Sequence, residues 1–387
     1  MTLERPELER RVVATLTATP HRIPILLGEC GSGRTSIMLR VRDQLGSAAC
    51  QYVDVERTAT TPERFLQSVM ATTPFAAPAA IDAGPTARGA FNRALRFFET
   101  ARRADDGVAT FLLDEVLELR TFESFPNLRS ALRDLVDALA HSSNRFVLTS
   151  RYASRALRLL RDVRANFEVI QLEPLTVAEV RAGLRPSSEH RVEEEQQAFS
   201  TSVQALGDGR PGYVRAIVDA VAALEPGGGA DPVAALVALL APGGALSATC
   251  RFTYELRLHR ARGYGALKGI LDILAEEEPL TLTEIAQRLQ RTPGSTKDYL
   301  SWLEDVDLII ARQKRYSIVD PMLRLWIRLH CRPAPPSAEE VAHEVHDYAL
   351  KRLPPTEPAP TPVTPPPTPA TDETEPAKKK FGIIEID

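Results

Sequence analysis

Cysteine is scarce: only Cys30, Cys50, Cys250 and Cys331 occur, with no CxxC pair and no secreted-type framework. That usage suits a reducing cytosol. Long apolar runs are missing as well. The longest, Pro232 to Ala241, is about half of the ~20 residues a membrane span needs, so no membrane insertion is expected. The opening MTLERPELERRVV lacks the apolar core of a signal peptide, which again points to the cytoplasm. A positive surplus is absent too. The net charge of −4 argues against whole-chain attraction to nucleic acid or anionic membrane and leaves only local basic patches. No nucleophile–base pair or metal-ligand cluster stands apart from the motifs below, so nothing favours a metabolic enzyme.

What is present is ordinary globular composition, 44% hydrophobic and 25% charged over 387 residues, with room for two or three cores. Short apolar runs alternate with helical patterns through the first 175 residues. The runs Ile23–Leu27, Gln51–Val55, Ala109–Leu113, Arg145–Thr149 and Phe167–Leu172 predict a parallel α/β sheet covered on both faces. Helices are expected at 36–44, 62–70, 91–102 and 128–140, with a loop over 72–89. Residues 176–245 read as a helical lid and linker, including TVAEVRAGL, VEEEQQAFSTSVQAL and PGYVRAIVDAVAAL. Asp231-Pro232 supplies an N-cap and a first-turn proline after the break EPGGGADP.

From about Tyr264 the pattern changes again, within a domain expected over 250–332. Helices are expected over 266–276, from a Thr281/Glu284 capping box to about Gln290, and over 295–305. Two β-rich runs, 308–312 and 316–319, flank a three-residue turn, Gln313-Lys314-Arg315. Three helices and a hairpin in that order describe a winged helix. A short helical extension over 333–353 follows. Residues 354–380, rich in Pro, Thr and Glu, read as an extended linker. The terminal 381–387, FGIIEID, alternates like a strand-forming peptide that adds to a partner's sheet edge; an inert end is the plainer reading.

The most specific motif is Gly28-Glu29-Cys30-Gly31-Ser32-Gly33-Arg34-Thr35-Ser36, between a strand and a helix. Its glycines let backbone N–H groups wrap phosphates, and the helix N-terminus favours negative charge. Thr35 is placed to give Mg²⁺ a hydroxyl ligand. Arg34 stands where such loops carry lysine, keeping the charge on a larger planar fork. Next, TFLLDE delivers Asp114, to hold Mg²⁺, and Glu115, to polarise the attacking water as general base. A third strand, FVLTSR, ends in Thr149 and Arg151, suited to sensing the γ-phosphate; a surface arginine is the plainer reading. Arg161 and Arg164 could serve in trans as arginine fingers in an oligomer, although most such residues sit on solvated helix faces. GRPGY, with Pro211, could close a lid against adenine. Cys30 is read as a small packed side chain rather than a redox switch.

With these residues in view, the chain resembles AAA+/STAND-class ATPases. GECGSGRTS, FLLDE, VLTSR, LEPLTVAEV and GRPGY carry the resemblance, and Arg5-Pro6-Glu7-Leu8 resembles the start of the family's adenine-side loop. The stretch YSIVDPMLRLWIRLH is similar to the winged helix of archaeal-type ATPases, relatives of origin-recognition initiators. The resemblance implies a five-stranded core in the order 5-1-4-3-2, ATP and Mg²⁺ as cofactors, a nucleotide-dependent lid and winged helix, and Arg151 as sensor. Arg34 departs from the family lysine.

Three functions are compatible with these features. The first is a slowly hydrolysing ATP switch that sets the winged-helix position. The second is a DNA-binding initiator, with phosphate contacts from Lys297, Arg312, Lys314 and Arg315; Asp298, Glu304, Asp305 and Asp307 count against it. The third is a non-hydrolysing nucleotide-binding adapter with a protein partner at the winged helix and the C-terminal peptide.

Overall fold

The central sheet grows from five short apolar strands: β1 (Ile23–Leu27), β2 (Cys50–Asp54), β3 (Thr110–Asp114), β4 (Arg145–Ser150) and β5 (Phe167–Gln171). In the computed structural model they pair in parallel in the order β2-β3-β4-β1-β5. This is the expected order read from the other edge. Every residue of β1 and β3 is buried, as their unbroken apolarity demands. The structure describes residues 3–20, 22–76, 86–161, 167–184, 193–224, 231–259 and 263–354.

Helices α1 (Pro6–Thr17) and α2 (Arg34–Leu45) cover one face of the sheet. Val12, Leu16, Ile37, Met38 and Val41 meet Leu26, Leu112 and Val147 there. A short α3 (Val55–Thr58) leaves β2. The opposite face is covered by α4 (Pro62–Ala71), α5 (Ala87–Thr100) and α6 (Ala131–His141). Phenylalanines fill that layer: Phe111 and Phe146 stack at 5.5 Å and Phe98 sets its edge on Phe111 at 5.0 Å. Helix α4 starts where Thr61 accepts the Arg64 amide and Pro62 opens the first turn. A 3₁₀ segment, Val116–Ser124, follows β3, and α7 (Ala153–Arg161) follows β4. The expected loop 72–89 is shorter than read, because Thr86 caps α5 from Ala87; residues 77–85 lie outside the described residues, as does Arg164.

The next segment is helical throughout, with α8 (Val177–Gly183), α9 (Glu193–Leu206), α10 (Pro211–Leu224), α11 (Pro232–Leu240) and α12 (Ala245–His259). The apolar run that peaks at α11 is a core helix, burying Val233, Leu236 and Leu240. No single helix among the described residues is long and apolar enough to cross a membrane.

Helices α13 (Tyr264–Glu276), α14 (Leu282–Arg288) and α15 (Pro293–Asp305) then combine with β6 (Leu280–Thr281), β7 (Ile309–Arg312) and β8 (Arg315–Ile318). The three strands form an antiparallel sheet in the order β6-β8-β7. The Thr281/Glu284 capping box is present at the head of α14. The hairpin turn has two residues, not three: Arg312 pairs with Arg315, and Gln313 and Lys314 carry φ of 51° and 64°. Left-handed geometry at both positions is what a two-residue turn needs; without Asn or Gly there, the sequence hid it. Helices α16 (Pro321–His330) and α17 (Ala338–Leu350) finish this body. Met1–Leu353 pack as one unit; Pro354–Asp387 form a second, in which the expected linker and terminal peptide fall on 355–387, outside the described residues.

Candidate nucleotide site

The carboxyl ends of β1, β3 and β4 lie side by side, the place where parallel sheets gather ligand groups. From β1 the chain turns through Gly28, which has no room for a side chain: a Cβ there would stand 2.7 Å from Ser32 Oγ and 3.1 Å from the Leu172 Cβ. Gly33, with φ of 89°, occupies the N-cap of α2, and no side chain caps that helix. Its first-turn amides are therefore suited to an anion. Gly31, Ser32, Gly33, Arg34, Thr35 and Ser36 line a cavity of 260 Å³, closed on the far side by Pro211, Gly212 and Arg215.

Two carboxylates stand beside this cavity. Asp114 accepts Thr35 Oγ1 at 2.7 Å and the Tyr52 hydroxyl at 2.8 Å, and it accepts the Thr149 hydroxyl as well. Burial, then the Asp114 charge, pushes the Tyr52 pKa up, so the phenol stays a donor. Glu115, with φ of 59°, accepts Arg34 Nη2 at 2.5 Å on Oε1 and the Arg151 amide at 3.0 Å on Oε2. The Glu115 amide in turn donates to Thr149 Oγ1 at 2.9 Å. Arg151 also donates to Glu56. Burial opposes the charge on Arg151, yet Glu115 and Glu56 hold its pKa above the ordinary value.

Buried polar atoms of the loop fit a phosphate chain. Ser32 Oγ and the Nε and Nη1 of Arg34 have no hydrogen-bond partner among the described residues. Such atoms are costly to leave unpaired, by about 1–3 kcal/mol each. The Thr35 and Asp114 oxygens, already in contact, suit a hard divalent cation.

The lid reaches the loop through backbone. Gly212 N donates to Gly31 O at 2.9 Å. Arg210, two residues before, donates to Glu29 in the loop and lies 3.3 Å from Asp320 Oδ2. Asp320 Oδ2 also accepts the Tyr213 hydroxyl at 2.7 Å. Burial works against the Arg210 charge, while Asp320 and Glu29 raise its pKa.

No family model matches the sequence, and no curated protein matches it. Solved structures do. A Walker-type ATPase of Pyrococcus abyssi aligns over 84% of this chain and 96% of its own, with a TM-score of 0.62 and 17% identity. The fold is that of an AAA+-like P-loop ATPase. Similar too are the ORC2 protein of Aeropyrum pernix, in ADPNP-ADP complexes, at 15% identity, TM-score 0.49, covering 89% of this chain and 93% of that one. The ORC1 protein of the same organism, in complex with DNA, follows at 14% identity, TM-score 0.46, covering 91% and 94%.

Within this AAA+-like fold the predicted residues separate into groups. Gly31 to Ser36 and Pro211 share the cavity, and Gly28 sits at its root. Asp114 and Glu115 stand beside it. Thr149 lies beneath them, fully buried, with its hydroxyl on Asp114 and on the Glu115 amide. Arg5 stands apart: it donates to Glu173 O at 2.7 Å and Glu179 at 3.2 Å, tying the head of α1 to the first lid helix. Arg161 is exposed at the end of α7. Sequence reasoning missed Tyr52, Glu56, Arg215 and Asp320, and it named Arg210 only within the GRPGY lid motif, not as a tie to Glu29 and Asp320. Arg215 had a signal, since it falls four residues after Pro211 on the same helix face. The others become visible only when strand order and lid docking are known.

Proposed function

We propose that this chain is an ATP-binding, slowly hydrolysing molecular switch that couples nucleotide state to the position of its C-terminal module, read as a winged helix. One observation carries the reading: a single guanidinium, Arg210, joins Glu29 of the phosphate loop to Asp320 at the head of α16. The loop amides, Ser32 and Arg34 bind the phosphates, with Pro211 against the base and Arg215 closing the lid side. Thr35 and Asp114 would hold Mg²⁺, which when bound offsets phosphate charge. Glu115 takes the proton of the attacking water. Thr149 orients the Asp114 carboxylate and anchors the Glu115 backbone amide, and Arg151 positions the Glu115 carboxylate. Phosphate charge entering beside Arg210 changes what that guanidinium contacts, and thus the hold on α16. A switch requires the two arrangements to differ in nucleotide affinity.

Fluorophores on α5 and α17 of the full chain, read with ATP and with ADP, test this. A distance change that differs between the nucleotides is expected, together with slow phosphate release. Failure to bind nucleotide, or an unchanged distance, rejects the switch. The cytoplasmic location remains part of this proposal.

A second reading, DNA binding, gains from one observation. Two of the acidic residues that counted against it are engaged by α7, Asp305 pairing with Arg158 at 2.5 Å and Asp307 Oδ1 accepting the Ser154 amide at 3.4 Å, while Asp298 stays exposed. Lys297, Arg312 and Lys314 are exposed. Substituting Lys314 by Ala should weaken duplex binding and lower the salt slope by about 1; no salt-dependent binding at all would eliminate this reading.

A further inference from the structure

The general base of this site is occupied on both oxygens. Glu115 Oε1 accepts Arg34 Nη2 at 2.5 Å, and Arg151 Nε stands 3.2 Å from the same oxygen. Oε2 accepts the Arg151 amide at 3.0 Å. Arg34 and Glu115 side chains are each 7% exposed. A carboxylate engaged in this way is a poor base, because receiving a proton means giving up a buried, charge-assisted bond. Meanwhile Nε and Nη1 of the same arginine lack partners among the described residues, and Arg34 lines the cavity. The guanidinium is one rigid plane, so drawing its Nε and Nη1 edge onto a phosphate draws Nη2 off the carboxylate; a compact ammonium presents one point charge.

We propose that Arg34 is a latch on Glu115: the arginine in the phosphate loop holds the general base, so that nucleotide and Glu115 compete for one guanidinium. The proposal rests on the nucleotide-site reading above. In the latched arrangement the site accepts nucleotide and turns it over slowly. When phosphate oxygens draw Nε and Nη1, Oε1 of Glu115 loses the short bond from Arg34 and keeps only the longer 3.2 Å approach of Arg151 Nε. The water oxygen then attacks the γ-phosphorus, the bond from that phosphorus to the bridging oxygen breaks, and ADP leaves. The water proton passes to Oε1 of Glu115 and from there to solvent. Arg34 acts through Glu115 and is in this respect a positioning residue.

Competition has a signature in binding as well as in rate. Removing the carboxylate charge frees Arg34 for phosphate, so Glu115→Gln should bind better. Shortening the reach to Glu115 frees the base, so Arg34→Lys should turn over faster. The full chain with Mg²⁺ is titrated calorimetrically with ADP and with a non-hydrolysable ATP analogue, and single-turnover hydrolysis is followed beside it. Glu115→Gln is expected to tighten ADP binding about tenfold, the size of one charge-assisted hydrogen bond no longer surrendered. Arg34→Lys is expected to raise the single-turnover hydrolysis rate constant at saturating nucleotide about fivefold or more. Unchanged or weaker ADP binding by a folded Glu115→Gln overturns the latch, and so does an Arg34→Lys protein no faster than wild type. If wild type binds nucleotide and neither variant shifts, only the latch falls. If none of the three binds nucleotide, the latch and the nucleotide-site reading fall together.

Discussion

Asp320 answers to Arg210 across the junction between lid and C-terminal module, Oδ2 lying 3.3 Å from the guanidinium. The same carboxylate accepts Tyr213 OH at 2.7 Å and caps α16 by accepting the amides of Met322 and Leu323 at 3.0 and 3.1 Å. With 4% of its surface exposed, it has little water to replace those partners. Asp320→Ala would leave a buried guanidinium and a phenol without this acceptor and strip a helix cap. The expected loss is about 3–5 kcal/mol in urea unfolding, and the nucleotide-driven distance change should vanish in whatever fraction stays folded. A loss below about 1 kcal/mol would mean that the junction does not depend on this group.

Gly212 allows the lid to touch the phosphate loop. An added Cβ would meet Gly31 Cα at 3.2 Å and Gly31 O at 3.4 Å, both backbone atoms that cannot rotate away. Gly212→Ala should therefore lift α10 from the loop and weaken the bond from Gly212 N to Gly31 O. Amide exchange would be faster at the start of α10, and nucleotide affinity lower, by about fivefold or more. Unchanged exchange at Gly212 and its neighbours would show that the contact is not needed for closure.

Thiol chemistry separates the loop from the core. Burial pushes Cys50 up to about 12 and Cys331 up to about 11, and burial raises Cys250 as well. At pH 8 a thiol at about 11 is only about one part in a thousand thiolate, the form that reacts. Cys30, half-buried within the loop, should be alkylated first by iodoacetamide, and MgATP should slow it by ordering the loop. Labelling of Cys331 ahead of Cys30, or a rate indifferent to nucleotide, would contradict this placement.

How much of this was legible depends on whether the deciding contacts are local. Strand β1 and helix α10 fall on the residues expected, because an unbroken apolar run and a first-turn proline are local signals. Helix α12 was not foreseen. It buries Ser247, Thr253 and the whole Arg257 side chain while leaving Phe252 62% exposed, so its hydrophobic period is blurred. Strand β6, two residues long, is too short to have a period. In the site, the glycine spacing and the β3 carboxylates could be read directly. Tyr52 on Asp114 needed the pairing of β2 with β3, and Arg210 on Asp320 needed the docked lid. Thr149 was expected to face the phosphate; its hydroxyl is instead taken by Asp114 and the Glu115 amide, a register effect that no motif encodes.

Asp307 offers a test that depends on pH. It lies between α15 and β7 with φ of 51°, a left-handed conformation that Asn also tolerates. Its Oδ1 accepts the Ser154 amide at 3.4 Å, and Arg257 donates to its backbone carbonyl at 2.6 Å. Burial raises the Asp307 pKa above 3.8; Ser154 and Arg257 oppose that rise, and Glu29 adds to it. The folded state therefore holds this proton more tightly than the unfolded chain does. The stability it contributes is fully present below the unfolded pKa and is lost as pH rises through the folded value. Asn keeps an acceptor for Ser154 and does not titrate. The stability of wild type relative to Asp307→Asn should accordingly fall as pH climbs from 3.8, until the variant equals or exceeds wild type at neutral pH. Urea midpoints for both proteins over a pH series decide it: a constant difference from about pH 4 to 7 would show that the carboxyl is hydrated rather than shielded against Arg257.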